Sequence, residues 1–409
     1  MTQIAINAAP SQPRRRKGPA RAFAPALVAA LGLALASCIS PFSDGPPGFI
    51  GGFAQPPAAE AIGDGAVSVA LILPLSGSGA GAAAAQAMRN AATLAMEEFQ
   101  DPEIRVLVKD DRGSPDGARE AAQSAVSEGV ELILGPLFAA SVQAAGTVAR
   151  EAGVPVVAFS TDANVAAPGV YLMGFLPRAE VARVLDYAAK QGRRSVAALI
   201  PETGYGDLAE AQFRESAAQR GLRVVAIERY PAGQPQQAVA RLAPAIAGSA
   251  PQADALFVPE TPDGMAVVAR TLQSAGFDPA RVKPLGAGVW HDPDVLRLPA
   301  LQGGWFAAPP QAGYEAFAAR YQSRFGSQPL RIATLAYDAV SLAAALTRTQ
   351  GAQRFSQPVL TNASGFAGAD GVFRFRANGL NERGLAVFEV RDGSAATVSA
   401  APQALAGGA

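Results

Sequence analysis

Residues 69–91, VALILPLSGSGAGAAAAQAMRNA, join an apolar run to a Gly/Ser loop and then to an alanine-rich segment with helical spacing. The order is strand, loop, helix. A glycine loop at that junction turns backbone N–H groups and the positive end of the helix toward anything anionic. The same beat continues through IRVLVKD, a helix from about Asp116 to Glu128, ELILGP, a helix from about Ala140 to Ala152, and VPVVAFS. Strands that are apolar throughout are buried on both faces, which is the mark of a parallel sheet covered by helices. Gly129 and Gly153 stand where helices end.

After YLMGFLPRA the beat restarts. A helix over 178–191 aligns Val181, Val184, Leu185 and Ala188 on one stripe, with Gly192 behind it. SVAALIP, a helix over 206–220, LRVVAIERY, a helix from about Pro235 to Ala247, DALFVP, a helix over 263–275 and KPLGAGV follow. Two such runs predict an α/β fold of two doubly wound parallel-sheet lobes. One eight-fold barrel is the rival, and the break at Pro177 and the Trp305–Pro310 segment argue against it as crossings between lobes. Residues 313–325 and 331–347 read as amphipathic helices, and GVFRFRANGLNERGLAVFEVRDG as two strands turning at Asn378 and Gly379. The expected boundaries are 66–176 with 307–378 for the N-terminal lobe and 177–306 with 379–400 for the C-terminal lobe.

The first 37 residues carry five basic side chains and no acid, and lead through FAPALVAALGLALAS to Cys38, the only cysteine. The apolar run is too short to span a bilayer and reads as a secretion signal. Leu35, Ala36, Ser37 and Cys38 resemble a bacterial lipobox, which implies lipidation of Cys38 and anchoring to a membrane, the outer one preferred because Ile39 is not an aspartate. Residues 38–65, rich in Pro and Gly, read as a tether. Taking the five basic residues of the signal from 34 leaves 29 against 34 acidic ones, a net charge of −5. That balance, without a basic cluster, argues against nucleic acid as a partner.

Taken in order, LILPLSG, LILGPLFAAS, GVPVVAFSTDAN, IPETGYGDLAEAQFRESAAQRGLRVV and GFAGADGVFRFRANG resemble the type I periplasmic solute-binding proteins of the leucine/isoleucine/valine-binding branch, over about residues 66–395. The resemblance implies a clamshell with three crossings, an amino acid or similar solute in its cleft, and delivery to an ABC-type transporter permease. The lipobox, the tether, ALILPLSG and GPLFAASV also resemble the penicillin-binding protein activator lipoproteins, which use this fold to stimulate a peptidoglycan synthase.

Ligands of open parallel sheets bind beyond the carboxyl ends of the strands. Ser76 and Gly77 in the first loop, Phe138 and Ser141 in the second, and Ser160 and Thr161 in the third are therefore candidate ligand contacts. By resemblance, Tyr205 is the aromatic that closes from the second lobe, and Glu260 and Trp290 lie on loops facing the cleft. Two departures weaken the case for an ordinary α-amino acid: Ala139 and Ala140 replace hydroxyl residues of the family, and Ala82 stands where an aromatic is usual. Gly77, Gly79 and Ala82 with Asp110 also satisfy a loose dinucleotide fingerprint, but they lie past a Leu-Ser insertion. The single histidine, His291, reads as a surface imidazole without catalytic partners. One histidine and one lipidated cysteine are too few preferred ligands for a transition metal. The expectation is a binding protein without enzyme activity, cofactor or metal.

Overall fold

A computed structural model describes residues 60–405. Cys38, the expected signal and the expected tether up to residue 59 lie outside the described residues.

The first lobe contains β1 (Ala61–Ile62), β2 (Val67–Leu73), α1 (Gly79–Glu98), β3 (Ile104–Asp110), α2 (Pro115–Ser127), β4 (Leu132–Leu134), α3 (Ala139–Glu151), β5 (Val156–Ala158) and β6 (Val170–Leu172). Its sheet runs β1-β3-β2-β4-β5-β6, parallel apart from β1. Every residue of β2 is buried, as its unbroken apolar run requires. The start of the sheet corrects the tether boundary: Ala61 and Ile62 pair with Leu107 and Val106.

The second lobe follows with α4 (Pro177–Lys190), β7 (Ser195–Pro201), α5 (Gly204–Gln219), β8 (Arg223–Tyr230), α6 (Gln236–Ile246), β9 (Ala255–Phe257), α7 (Pro262–Ser274), β10 (Lys283–Gly286), the short α8 (Pro293–Leu296) and β11 (Trp305–Ala308). The chain then returns to the first lobe through α9 (Gln311–Phe325), α10 (Ala333–Gln350), α11 (Gln357–Leu360) and a small sheet of β12 (Phe366–Gly368), β13 (Gly371–Phe375) and β14 (Asn381–Arg383). It ends with β15 (Ala386–Arg391) and β16 (Ser394–Ser399), which extend the second sheet to β16-β15-β11-β10-β9-β7-β8. The parallel parts of the two sheets share one order, with the first strand of each lobe between its second and third. That repetition answers the barrel alternative: there are two open sheets.

Each sheet has an apolar core on both faces. In the first lobe α1, α10 and the small sheet cover one side and α2 and α3 the other; in the second, α6 and α7 cover one side and α4 and α5 the other.

Three expectations need correction. The second crossing comes after Ala308, because β11 pairs with β10 and β15 inside the second sheet. The closing strands are three: β14 pairs with β13 in the first lobe, and the chain crosses at Gly384–Leu385 to let β15 pair with β11. Finally, α10 is not amphipathic, since every residue from Ala333 to Thr347 is buried between α1 and the sheets.

The crossings are tied together. Asn381 Nδ2 donates to Leu172 O (2.8 Å) and Gly174 O (2.9 Å), and Arg383 Nη2 donates to Met173 O (2.6 Å). Side chains of β14, at the third crossing, thus hold three successive carbonyls of the first.

Candidate functional site

The shared strand order puts a topological switch point in each lobe, between β2 and β4 and between β7 and β9. Loops at such points form the ligand crevice of an open sheet. Ser76, Gly77, Phe138 and Ser141 belong to the first switch point, and Tyr205 and Glu260 to the second.

Ser76 is exposed, and its backbone N–H points at Asp110, 3.2 Å from each carboxylate oxygen. Partial burial works to raise the Asp110 carboxyl, but hydrogen bonds from Ser76 and from the Arg112 backbone outweigh it and hold the group below its usual range. Asp110 therefore fastens the first glycine loop, the use to which this chain puts the acid of the loose dinucleotide fingerprint. Phe138, at the N-cap of α3, is 42% exposed. Its ring lies over Gly81 and Gly113: a Cβ on Gly81 would come within 2.9 Å of the ring, and one on Gly113 within 3.6 Å.

Ser141 differs from expectation. It is 1% exposed and lies beside Asp111, which is fully buried. Burial raises the Asp111 carboxyl, while the Gly113 N–H (2.8 Å) and the Ser141 hydroxyl work against that rise. Among the described residues, Ser141 Oγ and Asp111 Oδ2 nevertheless close no hydrogen bond. Ser141 therefore faces an internal carboxylate rather than open space.

Ser160 is buried and accepts from the Asp162 N–H (3.1 Å), which shapes the third loop. Thr161 is exposed and lines a cavity of about 250 Å³ whose other wall is Leu208 and Ala211 of α5, so this cavity lies between the lobes.

In the second lobe, Thr203 caps α5 by accepting from the Gly206 N–H (3.0 Å) and so fixes Tyr205 on the first turn. The Tyr205 hydroxyl is buried and has no hydrogen-bond partner among the described residues. Burial pushes its phenol well up, and the carboxyl groups of Glu180 and Glu260 push the same way. Glu260 is only 6% exposed and accepts from Tyr230 OH and from the Thr261 N–H (2.7 Å) and hydroxyl (3.1 Å). Trp290 is a core residue: it is fully buried, donates to Val258 O (3.0 Å), and its ring rests on Gly286, where any Cβ would overlap it. Its side chain turns inward, so it offers nothing to a ligand at the loop expected from resemblance.

The sequence reading missed a buried charged cluster where the lobes meet. Glu180 on α4 accepts from the Gly288 N–H (2.9 Å), and burial raises its carboxyl to about 7 against the pull of Arg331 and Arg383. Arg331 pairs with Asp370, which also accepts from the Thr334 hydroxyl. Asp338 accepts from the Ala369 N–H (2.7 Å); burial, then repulsion from Asp370, raises it to about 7. Arg383 lies between the rings of Phe175 (5.1 Å) and Phe373 (5.3 Å), with Nε and Nη1 unpartnered among the described residues. An acid inside the apolar run LAYDAVSLAAAL was the available signal, since an isolated carboxylate does not enter a core without a partner. His291 belongs to the same junction. It is partly buried against Phe306 and Phe388, its Nδ1 is 2.8 Å from Gln311 Nε2, and burial lowers it to about 4, which corrects the surface reading.

Among the described residues, no group of three or more His, Cys, Asp or Glu side chains is placed to hold a metal, and no helix is long and apolar enough to cross a membrane.

Two doubly wound lobes, each with its own switch point, define a clamshell fold. The chain belongs to the periplasmic binding protein family, which it matches over residues 66–395; members bind solutes outside the cytoplasm and are not enzymes. Solved structures share the fold, three of them as follows. One is a protein assigned to a branched-chain amino acid ABC transporter in Rhodospirillum rubrum (22% identity, TM-score 0.72, covering 81% of this chain and 99% of that one). Another is an ABC-transporter solute-binding protein of Rhodopseudomonas palustris with 3,4-dihydroxybenzoic acid (23%, 0.62, 82% and 98%). The third is LivJ of Streptococcus pneumoniae with isoleucine (20%, 0.59, 81% and 99%). No curated protein matches the sequence.

Proposed function

We propose that this chain is the lipid-anchored receptor of an ABC-type importer, trapping an amino acid or similar small acid between its lobes and passing it to the permease. The carrying observation is the Tyr205 hydroxyl, buried at the second switch point without a partner, where an incoming polar group would satisfy it. Solute docks on the loops of the first lobe at Ser76, Gly77, Phe138 and Thr161. Closure then brings Tyr205 and Glu260 over it, a shift toward the closed state driven by its extra contacts. Relatives of the same fold hold isoleucine and a dihydroxybenzoate, so the panel to test is branched-chain amino acids and aromatic acids. Cys38 supplies the anchor, in the outer membrane by the argument from Ile39.

A second reading makes the same clamshell a docking module that activates a penicillin-binding protein. Ser141 turned to Asp111, Glu260 already engaged by Tyr230, and alanines at 139 and 140 favour it. Calorimetric titration separates the two. Micromolar binding abolished by Tyr205→Ala supports the importer; silence across the panel, with capture of a peptidoglycan synthase, supports the activator.

A further inference from the structure

Away from the switch points, a groove of about 610 Å³ runs between α4 and α5 of the second lobe and the β13–β14 hairpin of the first. That volume is typical of small-ligand sites. Arg178 enters it from α4, and Arg374 and Arg376 from the hairpin. Glu382 pairs with both Arg374 and Arg376. Arg178 is exposed and has no ion pair or side-chain hydrogen bond among the described residues. Glu215, the other acid of the lining, holds the Gln219 amide (3.0 Å). The lining thus carries four arginines, counting Arg383, against the two carboxylates Glu215 and Glu382, in a chain whose mature part is acidic.

We infer that this groove is a second binding site, for a small anion bearing a phosphate or carboxylate, held by Arg178 from one lobe and Arg376 from the other. Guanidinium groups grip such oxyanions through paired hydrogen bonds. A ligand held from both lobes bridges them, so its occupancy is linked to their closure.

The test uses the chain carrying Cys38→Ser, titrated calorimetrically with inorganic pyrophosphate and with citrate, and mixed with phosphatidylglycerol or phosphatidylcholine vesicles in sedimentation. The expected result is saturable one-to-one binding of a free anion, weakened about tenfold or more by Arg178→Gln and by Arg376→Gln. If the oxyanion belongs to a lipid headgroup, phosphatidylglycerol vesicles alone sediment the chain, and Arg178→Gln releases it. Arg178 has no partner to lose, so that variant keeps the test valid should Arg376→Gln unfold. No binding in any arm, or binding that neither arginine variant moves, overturns the proposal. Neither outcome touches the solute site at Tyr205.

Discussion

Replacing Glu180 by glutamine isolates one buried charge at the lobe junction. Glutamine keeps a carbonyl oxygen for the Gly288 N–H, so geometry is preserved while the titration disappears. In the folded chain burial raises the carboxyl to about 7, from an ordinary value of 4.5. A raised acid stabilises fully below its unfolded value, and that stability drains as pH climbs through the folded value. Over 2.5 pH units, at about 1.4 kcal/mol per unit, wild type loses about 3 kcal/mol that Glu180→Gln retains. For about 350 ordered residues the unfolding entropy is on the order of 0.7 kcal/mol/K, so the melting-temperature gap between variant and wild type widens by about 4 °C between pH 4.5 and pH 8. Scanning calorimetry at half-unit pH steps measures it. A gap that stays flat across that range refutes the reasoning, because Glu180 would then titrate as in the unfolded chain.

His291→Gln has the opposite sign: the histidine is held near 4 from 6.5, so the variant gains about 3 kcal/mol relative to wild type as pH falls from 6.5 to 4, read by urea unfolding at the two ends. Asn381→Ala leaves the carbonyls of Leu172 and Gly174 without donors and costs about 2–4 kcal/mol in the same assay. Gly286→Ala drives a methyl into the Trp290 ring and costs about 3 kcal/mol or more, seen as a lower melting temperature or loss of soluble protein. Tyr205→Phe removes a hydroxyl that has no partner; it leaves folding stability within about 1 kcal/mol while weakening solute affinity in calorimetric titration.

Most of the architecture was legible because unbroken apolar strands and glycine-closed helices are local signals. Val67–Leu73 and Ser195–Pro201 declare burial on both faces in their composition, and Gly129 and Gly153 adopt the positive φ of helix ends. The end of the chain was less legible. Asn381, Glu382 and Arg383 are polar, and nothing local announces that two of them reach across to the first crossing. The site was legible as loops and not as side chains. Strand order places residues 76, 141, 205 and 260 at switch points, but the inward turns of Ser141 and Trp290 depend on Asp111 and Gly286, neighbours that only the folded chain brings close. Glu180, Arg331 and Arg383 were invisible for the same reason: each is far in sequence from the charges it meets.

The claim that the halves swing to trap a guest is tested most directly by spin labels at the exposed positions Gln143 in α3 and Glu202 before α5, in the Cys38→Ser chain. The interlabel distance is measured by pulsed electron resonance across the same solute panel. The account predicts a shorter mean distance with any solute that titrates, and its reversal by Tyr205→Ala. One narrow distance, unmoved by every solute and by that substitution, contradicts it.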